Sequence, residues 1–229
     1  MIRRLPPEIV REIAAGEVVF SVADVVRELL ENALDAGASR VRVEVWGGGL
    51  DRIVVQDNGV GIPLEELPLA VEPHATSKLE RLDQITTLGF RGEGLYAIRQ
   101  AGQLTLISRP APQLGAGRLW AHGEQVELGS QPAPAGTRVE VAALLAHLPA
   151  RRRALESPQA EVRRTVALLS RYLLHHPALA LTLWVDGEEK LQFPGGSVAQ
   201  AAQQLWGPVM ANRLLSLELE DHELAVRGL

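Results

Sequence analysis

The chain has 229 residues and 24.8 kDa, with 46% hydrophobic and 22% charged residues, which is the composition of a folded domain with a sizeable core and excludes general disorder. It contains no cysteine, which excludes a disulfide scaffold, a thiolate zinc site and a cysteine nucleophile, and it has no apolar run of membrane-spanning length, so a cytoplasmic protein without a membrane partner is the expectation. Its 23 basic and 28 acidic residues leave a net charge of −5, so any nucleic-acid contact has to come from a local patch.

Ser21 and Asp24 form a capping pattern that opens a helix. Val22, Val25, Val26, Leu29 and Ala33 then recur at helical spacing, and Gly37 stops the run. Asp24, Glu28, Glu31, Asn32 and Asp35 fall on the opposite face. Arg40 to Val45 alternates strictly and Arg52 to Gln56 is rich in β-branched residues, so both read as strands, with Gly47-Gly48-Gly49 joining an antiparallel pair. Short helices are predicted over Leu64 to Val71 and Gly92 to Ala101. Strands are predicted over Leu104 to Ser108, Arg118 to Ala121, Glu124 to Leu128 and Thr137 to Val141, with exposed loops at Pro110 to Gly117 and Gly129 to Gly136. A long amphipathic helix carrying Val162, Val166, Leu169 and Leu173 ends near His175. Strands over Ala180 to Val185 and Glu189 to Phe193 follow it, then a helix over Ser197 to Trp206. This order predicts an α+β fold, a two-layer sandwich with a mixed, mostly antiparallel sheet and helices on one face. After Gly207-Pro208 a helix-like stretch and a strand around Glu223 to Arg227, without an evident partner, suggest a second unit, giving domains 1–206 and 207–229.

Four segments carry chemistry. Glu28 and Asn32 stand at i, i+4 and project to the same spot. They are either part of a solvated helix face or a working pair, in which the amide oxygen is a hard ligand suited to Mg²⁺ and the carboxylate accepts a proton from an attacking water. Asp57-Asn58-Gly59-Val60-Gly61 reads as a tight hairpin or as an acidic strand end that receives an adenine amine; the helical pattern after Ile62-Pro63 weakens the hairpin. Leu88 to Leu95 places three glycines before a helix, either a flexible loop or a cradle of N–H groups for phosphates. No G-x-x-x-x-G-K-[ST] run is present, so this is not a P-loop. His74 to Lys78 holds one of only two lysines, and Thr137 begins a strand.

Together these segments resemble the N-terminal ATPase region of the MutL family of DNA mismatch-repair proteins, within the wider group of gyrase B, ninety-kilodalton heat-shock chaperones and histidine kinases. The resemblance is carried by Ile13 to Val18, Glu28 to Asn32, Asp35 to Ala38, Asp57 to Ile62, His74 to Lys78 and Gly89 to Glu93. It implies a Bergerat-type sandwich, ATP and Mg²⁺ as ligands, and the start of an α/β transducer domain at the C-terminal end. It further implies Glu28 as the general base, Asn32 as the Mg²⁺ ligand, Asp57 as the reader of the adenine amine, Gly61 as room for the base and Thr137 as its support. Thr76, Ser77, Lys78 and the lid of Gly89, Phe90, Arg91, Gly92, Glu93, Gly94 and Leu95 would hold the phosphates. ATP would order the lid and bring two copies together as a homodimeric clamp on DNA, acting with mismatch-recognition and other repair proteins and associating with the nucleoid. A module that senses nucleotide with negligible hydrolysis is the alternative. The chain departs from the family pattern at Phe20-Ser21-Val22, at Pro73, in Leu144 to Arg151 and at Gly94, which stands where the family has alanine and is expected to loosen the lid hinge. Arg151-Arg152-Arg153 and Arg163-Arg164 are read as an ion-paired helix face or a phosphate-binding patch.

Overall fold

The computed structural model describes residues 19–76, 88–89, 92–214, 217–220 and 225–228. Helix α1 (Val22–Asp35) begins where Ser21 Oγ accepts from the Asp24 N–H, and its apolar stripe from Val22 to Ala33 is fully buried. Strands β1 (Arg40–Trp46) and β2 (Arg52–Asp57) pair antiparallel, as the alternation predicts. Their triple-glycine connection does more than turn the chain. A Cβ on Gly48 would lie 2.5 Å from the Cα of Pro158, and one on Gly49 would lie 2.3 Å from Val22, so two helices start against this bare backbone.

A 3-10 turn (Leu64–Glu66) and the short α2 (Leu67–Ala70) follow, then α3 (Gly94–Ala101). Strands β3 (Gln103–Arg109), β4 (Ala116–His122), β5 (Gln125–Gln131) and β6 (Gly136–Ala142) come next, and then helices α4 (Pro149–Ala154) and α5 (Pro158–His175). Strands β7 (Ala180–Val185) and β8 (Glu188–Phe193) precede α6 (Val198–Ala211), which Ser197 and Gln200 open with a capping box. The last two strands are β9 (Leu217–Glu220) and β10 (Ala225–Gly228).

The eight-stranded sheet has the order β5-β4-β3-β6-β2-β1-β7-β8 and is antiparallel except for the β1–β7 pair. Val41, Val43, Val45, Ile53, Val55, Leu104, Leu106, Val139 and Val141 alternate onto the face covered by α1, α3 and α5, where they form one continuous core with the helix stripes. Each such side chain removed from water contributes about 1.5–3 kcal/mol, and this fixes the register that places the site.

Three sequence expectations are corrected. Gly129 to Gln131 belongs to β5 rather than to a loop: β5 is an edge strand whose two faces are both largely exposed, so it carries no burial alternation to read. The terminal strand does have a partner, β9, with which it forms a separate antiparallel pair. The final helix continues past Trp206 to Ala211, broken at Gly207 (φ 78°). Among the described residues no helix is long and apolar enough to cross a membrane.

Candidate functional site

The polar face of α1 and the end of β2 converge on one cavity of about 820 Å³. Glu28 and Asn32 enter it from α1, Asp57 and Gly61 from the turn after β2, and Thr137 from the start of β6. Thr76, Gly89, Gly92, Glu93, Gly94 and Leu95 close another side. Ser77, Lys78, Phe90 and Arg91 lie outside the described residues. The Glu28 and Asp57 carboxylates therefore share one hollow.

The turn after β2 is not a hairpin. β2 already pairs with β1 and β6, and the chain crosses the end of α1 instead, with the Val60 N–H donating to Ala36 O at 3.0 Å. Asn58 fastens this crossing: its Oδ1 accepts from the N–H groups of Ser39 (3.0 Å) and Arg40 (2.8 Å), and its Nδ2 donates to Ser39 Oγ (2.9 Å). Asp57 Oδ1 accepts from Gly59 N (2.7 Å) and Thr137 N (3.2 Å), while Oδ2 has no hydrogen-bond partner among the described residues. Burial pushes the Asp57 carboxyl above its ordinary range, against the opposing pull of those two N–H donors. Gly61 (φ 74°) lines the cavity, but its missing Cβ makes room for the backbone of Arg109, 2.5 Å from where a Cβ would stand.

Glu28 forms an ion pair with its neighbour on α1. Its Oε1 lies 3.5 Å from Arg27 Nη2, and Arg27 also reaches Asp24 at 3.4 Å. Burial raises the Glu28 pKa most and the neighbouring Glu31 carboxylate adds to this, while Arg27 opposes both. A half-buried carboxylate with elevated basicity is suited to receive a proton. Asn32 lies one turn further along the same face. Among the described residues no three His, Cys, Asp or Glu side chains gather into a metal cage. A single amide oxygen suits a Mg²⁺ ion that takes its other ligands from phosphate and water.

Two residues that sequence reasoning left without a role organise this site. Asp35, at the end of α1, accepts from Leu88 N through Oδ1 (3.0 Å) and from Gly89 N through Oδ2 (3.1 Å), which secures the start of the glycine segment. Ser108 on β3 is buried; its Oγ accepts from Ile62 N (2.7 Å) and shares a hydrogen bond with Thr137 Oγ1 (2.8 Å). Asp35 was visible on the polar face of α1, whereas nothing local marks Ser108, because its partners come from distant segments. Two of the five clustered arginines form ion pairs among the described residues: Arg164 meets Glu156 (2.6 Å) and Glu161 (3.7 Å), and Arg152 meets Asp51 (4.0 Å), while Arg153 Nε donates to Pro149 O (3.2 Å).

The chain is similar to known proteins in sequence and in fold. Residues 18–147 match the family model described as histidine kinase-, DNA gyrase B-, and HSP90-like ATPase. The whole chain is 60% identical over 229 residues to a DNA mismatch repair protein MutL of Thermus aquaticus, of which it covers 42%. It is 54% identical over 219 residues to MutL of Deinococcus radiodurans, with 93% of this chain and 40% of that protein covered. The chain thus spans about two fifths of the length of these relatives. Among solved structures, the Aquifex aeolicus MutL ATPase domain complexed with ADP superposes with a TM-score of 0.71 at 28% identity, covering 88% of this chain and 72% of that one.

Proposed function

The chain belongs to the histidine kinase-, DNA gyrase B- and HSP90-like ATPase family, and from that membership we propose that it is the ATP-binding and slowly ATP-hydrolysing module of a MutL-type mismatch-repair protein. The observation that carries this reading is the convergence of Glu28, Asn32 and Asp57 on one cavity beneath a glycine-bearing segment. Asp57 would receive the exocyclic amine of adenine at Oδ2, with Oδ1 kept in place by Gly59 and Thr137. Asn32 would offer its amide oxygen to Mg²⁺. When bound, that ion neutralises charge on the phosphates. Glu28 would orient and deprotonate the water that attacks the terminal phosphate. Thr76, Ser77, Lys78 and the segment from Gly89 to Leu95 would hold the phosphates, in part through backbone N–H groups.

In the full-length protein, nucleotide state would control homodimerisation and a clamp on DNA in the cytoplasm, in concert with mismatch-recognition and other repair proteins. Residues 1–206 would form the ATP-binding domain. Residues 207–229 would form a linker and the first part of a transducer domain, a division supported by the separate pairing of β9 with β10.

Calorimetric titration of ATP with and without Mg²⁺, on the unaltered chain and on Glu28→Ala, tests the reading. Binding by both, with turnover only by the unaltered chain, is the expected result. No binding by either overturns the assignment of the cavity. Equal turnover by both overturns Glu28 as the base.

A further inference from the structure

The turn from Asp57 to Ile62 is clamped at both ends onto two strands. At its start, Asp57 Oδ1 accepts from Thr137 N (3.2 Å) at the beginning of β6. At its end, Ile62 N donates to Ser108 Oγ (2.7 Å) near the end of β3. β3 and β6 pair here with Ser108 opposite Thr137, and their two hydroxyl oxygens share a hydrogen bond at 2.8 Å. The two anchors are thus tied to each other. The result is a closed ring of hydrogen bonds running from Asp57 through Thr137 and Ser108 to Ile62, completed by the turn itself.

The backbone seating is equally close. A Cβ on Gly136 would lie 2.2 Å from Asp57 O, and one on Gly61 would lie 2.5 Å from Arg109 O, so the turn rests directly on the strand ends that hold Thr137 and Ser108. Asp57 and Thr137 line the cavity, whereas Ser108 is 1% exposed and stands outside the lining. Its hydroxyl therefore meets no ligand. Its partners are Ile62 N, Thr137 Oγ1 and, at 3.3 Å, Gly136 O, and a buried hydroxyl so engaged fixes the groups around it.

We propose that Ser108 is a positioning residue for nucleobase recognition: it holds the Asp57 turn and Thr137 in one fixed relation, and so sets how strongly the site prefers adenine to guanine. This rests on the reading of Asp57 and Thr137 as the end of the cavity that receives the base. Adenine offers an amine to the Asp57 carboxylate. Guanine carries a carbonyl oxygen at the same ring position, which sets an acceptor against an acceptor. Only the adenine nucleotide gains from an accurately placed Asp57.

The test is Ser108→Ala, with the dissociation constants of ATP and GTP measured beside the unaltered chain, below the melting transition of both proteins. ATP binding should weaken by about tenfold and GTP binding should stay within about twofold, so the preference for ATP falls by about tenfold. The single-turnover rate at saturating ATP should also stay within about twofold, because Glu28 and Asn32 stand on α1, outside the ring. A general loosening of the pocket would weaken both nucleotides alike, so the ratio separates positioning from mere stability. Thr137→Val removes the other hydroxyl of the pair. In the double variant the loss of preference should be smaller than the product of the two single losses, since each substitution breaks the same link. Three outcomes overturn the proposal: an unchanged preference in Ser108→Ala, equal weakening of both nucleotides, or single losses that multiply in the double variant. An unaltered chain with no preference for ATP over GTP is a distinct result and overturns the reading of Asp57 itself.

Discussion

Tyr172 on α5 donates its hydroxyl to Glu31 Oε1 on α1, joining positions 141 residues apart and tying α5 to the helix that carries Glu28 and Asn32. Burial and the Glu31 carboxylate both push the Tyr172 hydroxyl well above its ordinary range, so it remains a donor at every working pH. Tyr172→Phe keeps the ring and removes this bond. A half-buried bond to a charged acceptor contributes about 1–2 kcal/mol, so the melting temperature should fall by about 2–6 °C, as read by calorimetry.

Glu28→Gln separates catalysis from stability. The folded Glu28 pKa lies above its ordinary 4.5, so the fold disfavours the ionised form. The stability associated with this group is fully present below pH 4.5 and is lost as pH rises through the raised value. A neutral glutamine avoids that loss. At pH 7 the variant should bind ATP, fail to hydrolyse it and melt higher than the parent, and the melting advantage should vanish below about pH 4.5. Parallel melting curves at pH 7 and pH 4 decide the matter; equal melting points at pH 7 would contradict the electrostatic account.

Asp57→Asn tests adenine recognition. The replacement keeps the shape but can no longer supply carboxylate oxygens to both the backbone donors and the base amine. Affinity for ATP and for ADP should each fall by about tenfold or more, corresponding to about 1.4 kcal/mol for a lost charge-assisted hydrogen bond. Because Asp57 is remote from hydrolysis in this reading, the single-turnover rate at saturating ATP should change much less. Calorimetric affinities set beside that rate provide the check.

Asp35→Ala should release Leu88 and Gly89, whose N–H groups lose their acceptor. Amide hydrogen exchange at these two residues should accelerate, with protection of the α1 interior retained. Exchange measured by NMR distinguishes this from a general loosening of the helix.

Much of the fold is legible because burial is periodic. The stripe of α1 and the alternation in β1 fix which side chains are buried, Val22 to Ala33 on the helix and Val41, Val43 and Val45 on the strand. Where burial is not periodic, as along the exposed edge strand β5, local sequence resembles a loop. The Asn58-Gly59 turn was ambiguous for a related reason: the pair suits a hairpin, and only the pairing of β2 with both β1 and β6 excludes one. The acid, amide and aspartate of the site could be picked out by residue type. The support given by Ser108 could not, since its partners Ile62 and Thr137 come from distant segments.

Glu161 is wholly buried on α5, and its Oε2 accepts from Val22 N at 2.9 Å, supporting the first turn of α1 from 139 residues away. Glu161→Ala leaves that donor unpaired in the interior and should cost about 1–3 kcal/mol, measurable by urea denaturation. The consequence reaches into biosynthesis. As the polypeptide leaves the ribosome, α1 emerges well before its anchor, which is translated more than a hundred codons later, and β7, the second neighbour of β1, later still. A nascent chain halted before α5 would therefore leave the first turn of α1 without its acceptor and the flank of α1 that packs on α5 uncovered.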